Sequence, residues 1–252
     1  MTRARFDPLL SLVGLLALLL AWWTATRLGV FPRQVLAPPE SVWRAFVQGA
    51  GSGELGAHIL ASLGRLGTGY AAGALVGAAF GLAMALSREF EAYTSGLFHA
   101  VRQVPTIAFI PMLVLVFGVE ETFKIVVVAK ASFYPVALAV FTGIRGISAK
   151  YLDVAAVYTL SLAQRLRLLM LPAALPPVLT GLRLGLSRAW VALVAAELLV
   201  ADEGIGQMME MGRQMFRLDI VLMGVVVIGT IGFLLDHGFK LLERRLTKGM
   251  SA

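Results

Sequence analysis

Between Arg65 and Arg88 the chain runs for 22 residues without a charged side chain. Apolar groups cover every side of such a helix, so no single packed face of a water-soluble domain could hide it. A segment of about 20 apolar residues is instead long enough to cross the hydrocarbon core of a bilayer. The feature recurs. Leu9 to Ala25, Phe123 to Thr142, Val178 to Val200 and Ile220 to His237 are also predominantly apolar, and a shorter run spans Val104 to Phe117. Of the 252 residues, 58% are hydrophobic and 15% charged, against about 25% charged in a soluble domain. These runs predict an all-α membrane protein with six transmembrane helices, the second of them over Leu60 to Leu86.

The formal charge of +7 follows from loop bias rather than from a nucleic-acid surface, since nothing interleaves the basic residues with a soluble reading face. With both termini inside, six spans place twelve Lys and Arg in the cytoplasm, among them Arg3, Arg5, Arg145 and Lys150. Six fall outside, among them Arg33 and Lys124. That asymmetry obeys the positive-inside rule. A basic start before an apolar run also opens a signal peptide, but the length of Leu9 to Ala25 favours a retained first span.

Within the spans, composition predicts contacts. Gly69, Gly73, Gly77 and Gly81 fall four apart and strip one helix face of side chains, which lets a neighbouring helix of the same subunit approach closely. Pro105 and Pro111 shorten and kink the third span. Gln103 and Thr106 stand at its inner mouth, where a helix-start role is expected. Lys130, Arg183, Arg188 and Glu197 are charges inside spans, each costing about 2.5 to 3.5 kcal/mol on insertion scales unless it faces water or a partner. Fourteen residues bring Glu197 nearly back to the face of Arg183. These four are candidates for intramembrane pairing or for the translocation path.

Tyr151 to Pro172 is the longest part of the second half that a bilayer would reject. Ser161 and Gln164 form a Ser-x-x-Gln capping box, so a short helix should start near Leu162. Upstream, Leu152, Ala155, Ala156 and Thr159 recur at helical spacing as a stripe of mostly small side chains. Pro172 should stop simple continuation into the fifth span. The reading is two short cytoplasmic helices between spans four and five, shaped to dock on a partner.

This segment resembles the "EAA" loop of bacterial ABC-importer permease subunits, whose pattern is Glu-Ala-Ala, three residues, Gly, nine residues, Ile-x-Leu-Pro. Here Asp153, Val154, Ala155, Thr159, Leu169, Leu171 and Pro172 keep every spacing, with Asp for Glu, Val for Ala, Thr for Gly and Leu for Ile. The flank from Leu171 to Leu199 is similar to the nitrate/sulfonate/taurine branch. The resemblance implies an ATP-driven importer working as a homodimer with two ATP-binding subunits and an extracytoplasmic substrate-binding protein. ATP and Mg would be bound by the partner ATPase, leaving no cofactor to this chain. It implies a small anionic cargo such as a sulfonate, taurine or nitrate. It also implies that Asp153, Ala155, Ala156, Thr159, Leu169, Leu171 and Pro172 couple to the ATPase. Residues 1–57 would form the first span and an outer surface loop carrying a short amphipathic helix, and residues 58–245 the permease core.

No G-x-x-x-x-G-K-[ST] phosphate loop occurs. His58, His99 and His237 are isolated, and there is no cysteine, so neither a metal site nor thiol chemistry is expected. The competing readings are an ion-coupled carrier using Lys130 and Glu197 as its coupling pair, and an ABC permease for a pyrimidine- or thiamine-precursor cargo.

Overall fold

A computed structural model describes residues 8–29, 32 and 36–248 of the chain. The side chains of Leu152 and Ala156, and Arg3, Arg5 and Arg33 altogether, lie outside that description. Every regular element among the described residues is a helix: α1 (Pro8–Arg27), α2 (Pro39–Ser52), α3 (Glu54–Leu86), α4 (Arg88–Gln103), a 3₁₀ turn (Thr106–Phe109), α5 (Ile110–Phe117), α6 (Glu121–Arg145), α7 (Ala149–Val157), α8 (Leu162–Arg165), a π turn (Leu166–Met170), α9 (Leu171–Leu199), α10 (Ile205–Gln214) and α11 (Leu218–Thr247). Among the described residues four stretches are long and apolar enough to cross a membrane: Glu54–Leu86, Glu121–Arg145, Leu162–Leu199 and Leu218–Thr247. They become five if α4 and the segment Thr106–Phe117 count together as one broken span.

Helices α3, α6 and α9 pack side by side as the centre of the molecule. The glycine stripe explains how α3 sits so close to α6. A methyl group added at Gly73 would stand 2.2 Å from the Ala129 carbonyl, and one at Gly81 2.2 Å from the Ala137 carbonyl. The stripe therefore serves contact within the subunit, as its spacing predicted. Gly181 and Gly185 do the same for α9 against Ala139 and Val136 of α6. Around this centre, Trp22 of α1 donates to the Ala37 carbonyl at 3.1 Å. Trp23 and Arg27 both reach Glu40 of α2, at 3.1 and 3.0 Å.

The third predicted span takes a different form. Thr106–Phe117 is only 12 residues of 3₁₀ and α-helix, and it turns from α4 by 94°. At about 1.5 Å per residue it falls short of the bilayer by itself. Pro105 sets the corner, since it has no N–H to carry α4 onward. Lys124, read from the sequence as an outer-loop charge, belongs instead to the first turn of α6. It is 1% exposed and paired with Glu121 at 2.9 Å.

Candidate functional site

Three arrangements carry the functional reading: the polar segment between α6 and α9, a buried ion network, and a cavity.

In the polar segment, the Tyr158 N–H donates to the Val154 carbonyl at 3.1 Å and the Leu160 N–H to the Ala155 carbonyl at 3.0 Å. The second bond spans five residues and closes a Schellman motif around Thr159. Thr159 has φ of +50°. That region suits glycine, and a β-branched residue there costs of order 1–3 kcal/mol. The residue that replaces the family's Gly thus adopts the conformation that Gly would supply freely. Ser161 then caps α8, accepting from the Gln164 N–H at 3.4 Å, while its own N–H donates to Gln164 Oε1 at 2.9 Å. The capping box read from the sequence is present.

Two expectations change. Pro172 does not end the second short helix. Leu162–Leu199 runs as one helical stretch of 38 residues, and Pro172 lies in the first turn of α9. The π turn just before it explains the continuity: a wider turn makes room for the proline ring and absorbs the missing donor. Ala155 is 3% exposed, so the close approach it permits lies within this chain. What α7 turns outward is larger: Tyr151, Val154, Val157 and Tyr158 are 61%, 55%, 81% and 72% exposed. Asp153 and Thr159 are also exposed, as are Leu171 and Pro172, while Leu169 is half-buried.

The buried network joins three helices and was not foreseen. Arg65 of α3 grips Glu121 of α6 with two bonds, Nε to Oε2 at 2.5 Å and Nη2 to Oε1 at 2.7 Å. Its Nη1 donates to Glu197 of α9 at 2.9 Å and to the Glu203 carbonyl at 2.6 Å. Glu197, 1% exposed, also accepts from Ser62 Oγ at 2.9 Å and from the Gly206 N–H at 3.1 Å. Ser62 Oγ accepts in turn from the Ile205 N–H at 3.0 Å. Two unpaired N–H groups at the start of α10 are therefore satisfied by side chains of α3 and α9, where a carboxylate also suits the helix dipole. Gly204, at φ of +120°, lies over Glu197 so closely that a Cβ would meet the carboxylate at 2.4 Å.

Glu197 is thus the partner of Arg65, neither of Arg183 nor of Lys130. Arg183 turns to α11, reaching Asp236 at 3.1 Å and Glu243 at 3.3 Å. The coupling pair required by the ion-driven carrier is absent from this arrangement. Within one helix, 14 residues return to one face; α3 and α11 meet that face at different depths and divide the two charges between them.

Lys130 and Arg188 line a cavity of about 1190 Å³ between α6, α9 and the α4–α5 corner. Gln103 and Thr106 line it too; of the helix-start role expected of them only Thr106 has it, at the head of the 3₁₀ turn, because Gln103 ends α4. The Lys130 ammonium lies 3.9 Å from the centre of the Phe109 ring and 5.4 Å from that of Tyr134. Among the described residues neither Lys130 nor Arg188 forms an ion pair.

Residues 69–248 match the family described as binding-protein-dependent transport system inner membrane component. The chain belongs to that family. The permease is 37% identical over 243 residues to the taurine transport system permease protein TauC of Escherichia coli K12, covering 94% of this chain and 88% of TauC. It is 35% identical to the putative aliphatic sulfonates transport permease protein SsuC of Bacillus subtilis 168, covering 98% and 89%. The bicarbonate transport system permease protein CmpB of Synechocystis is 28% identical over 98% of this chain and 91% of CmpB. In fold, the permease is similar to a chain of the MetNI methionine ABC transporter in an inward-facing conformation, with TM-score 0.59 and 18% identity over 75% of this chain and 95% of that one. It is accordingly an inner-membrane permease subunit of an ABC importer, as its relatives are.

Proposed function

We propose that this permease imports a small solute bearing a singly charged oxyanion group, of the sulfonate, taurine or bicarbonate kind, as a homodimer joined to two ATPase subunits and fed by an extracytoplasmic binding protein. Relatives named for taurine, aliphatic sulfonates and bicarbonate support the cargo class. The chain crosses the membrane six times, through α1, α3, the α4–α5 region, α6, α9 and α11, with both termini and α7 in the cytoplasm. Residues 58–245 form the core, and residues 1–57 add a span and an outer surface helix.

One observation carries the coupling reading: α7 presents Tyr151, Val154, Val157 and Tyr158 outward, although it lies between two membrane-length helices and not inside either. Exposed apolar side chains at helical spacing suit a groove on a partner. ATP-driven closure of the ATPases moves α7, and the continuous α8–α9 helix transmits that movement to the centre of the membrane. Such a shift requires different contacts with α7 in each ATPase state. Asp153 orients α7 on its partner, Ala155, Ala156 and Thr159 set its shape and its exit, and Leu169, Leu171 and Pro172 join it to α9.

Reconstitution tests the proposal. Purified permease with its ATPase and binding protein in liposomes should accumulate radiolabelled taurine or ethanesulfonate only when ATP is enclosed with the ATPase. Accumulation driven by an ion gradient without the ATPase would refute it.

A further inference from the structure

Arg65, Lys124, Lys130, Arg183 and Arg188 lie within the membrane-length helices α3, α6 and α9, the first two buried and Arg188 exposed, and the fold treats these five cations in two ways. Arg65, Lys124 and Arg183 each meet carboxylates. Lys130 and Arg188 meet none among the described residues, and both line the same cavity. Charges brought into a membrane are ordinarily paired or turned toward a water-filled path. The helical register adds a second observation. Lys130 lies nine residues after Glu121 on α6, and Arg188 nine residues before Glu197 on α9. Arg65 binds both glutamates and so holds those two helix ends at one level. Nine residues are two and a half helical turns, about 13.5 Å. They put both cations at one depth and on the side of each helix opposite the Arg65 network. Phe109 and Tyr134 steady the ammonium through their ring faces without cancelling its charge,. Among the described residues, the side chains lining the cavity include Arg102 and the neutral Gln103, Thr106 and Ser187, but no carboxylate.

We propose that Lys130 and Arg188 form a two-cation level in the cavity, at which the oxyanion headgroup of the cargo is held in transit. The guanidinium offers a planar fork for two oxygens, and the ammonium a point charge for a third. This rests on the importer reading for direction and cargo, though the charge field of the cavity can be read without either.

The cysteine-free chain makes the test direct. Leu184→Cys, one turn from Arg188 and lining the cavity, is placed in the full complex with its ATPase. It is then labelled with anionic sulfonatoethyl methanethiosulfonate and with cationic trimethylammonioethyl methanethiosulfonate. The ratio of anionic to cationic labelling rates should fall about tenfold or more when Lys130→Gln and Arg188→Gln are combined. It should persist in the charge-keeping pair Lys130→Arg and Arg188→Lys, which controls for disturbed folding. An unchanged ratio in the double glutamine variant overturns the proposal. In the same complex, ATP-driven taurine uptake should fall at least about tenfold in that variant, and uptake at the unsubstituted rate also overturns it. If the unsubstituted complex carries no taurine, the cargo reading fails alone, and the labelling ratio still decides whether the cation level exists.

Discussion

Arg65 and Glu197 stand 132 positions apart in the chain yet meet at 2.9 Å, with side chains 5% and 0% exposed. Their contact ties α3 to α9 and, through Gly206, to the start of α10. Removing Arg65 strands the Glu197 carboxylate in a site closed to water, which costs about 3–5 kcal/mol, whereas removing Glu197 leaves Arg65 its two bonds to Glu121. Arg65→Ala should therefore lower the melting temperature of the detergent-solubilised permease sharply, and Glu197→Ala by less. The paired replacement Arg65→Met with Glu197→Leu should recover part of that loss. A single variant as stable as the parent would show that the pair is not a structural tie.

The glycine stripe gives a graded test. Gly73→Ala places a methyl group 2.2 Å from the Ala129 carbonyl, so α3 and α6 must separate. Overpacking of this kind costs about 1–3 kcal/mol. Gly64→Ala, where nothing lies within 4 Å of the added carbon, should leave thermal stability unchanged or slightly raised. Equal effects at the two positions would refute backbone contact as the role of the stripe.

Thr159 holds a left-handed conformation at the exit of α7. Replacing it by glycine removes the strain of the β-carbon while loosening the unfolded chain, a net gain of roughly 0.5–1 kcal/mol. Thr159→Gly should raise the stability of the α7–α8 segment, read as slower amide exchange across residues 155–165. Thr159→Pro should do the reverse, because proline fixes φ near −65°.

Charge on the outer face of α7 should uncouple transport. Val157→Asp adds a carboxylate at a position 81% exposed, so the subunit folds, but an apolar contact with the ATPase is lost. The expected outcome is normal membrane expression, uptake reduced about tenfold or more, and weaker co-purification with the ATPase. Full uptake would remove α7 from the coupling path.

Hydropathy made the long helices legible, because a bilayer leaves little choice to 20 uncharged residues. The α3 glycines and the Ser161–Gln164 box were legible for the same local reason: their partners lie on the same helix or on a neighbour demanded by spacing. What escaped was set by distant contacts. Glu197 could be placed on a helix face, but not matched to Arg65, because periodicity within one helix says nothing of which other helix arrives. The corner at Pro105 and the wide turn before Pro172 escaped for another reason. Proline announces that a helix is disturbed without saying whether the chain bends by 94° or carries on through a π turn. Ala155 was read as facing a partner because small residues invite approach from either side.

The contact of α3 with α6 is made backbone to backbone, by glycines over carbonyls at four successive levels. Interfaces built from long side chains can slip, since rotamers exchange as the helices slide. At these four levels α3 itself has no rotamers to exchange. These two helices should travel as one rigid plank during a transport cycle, and the flexing must fall to the joints around them: the corner between α4 and α5 and the wide turn feeding α9.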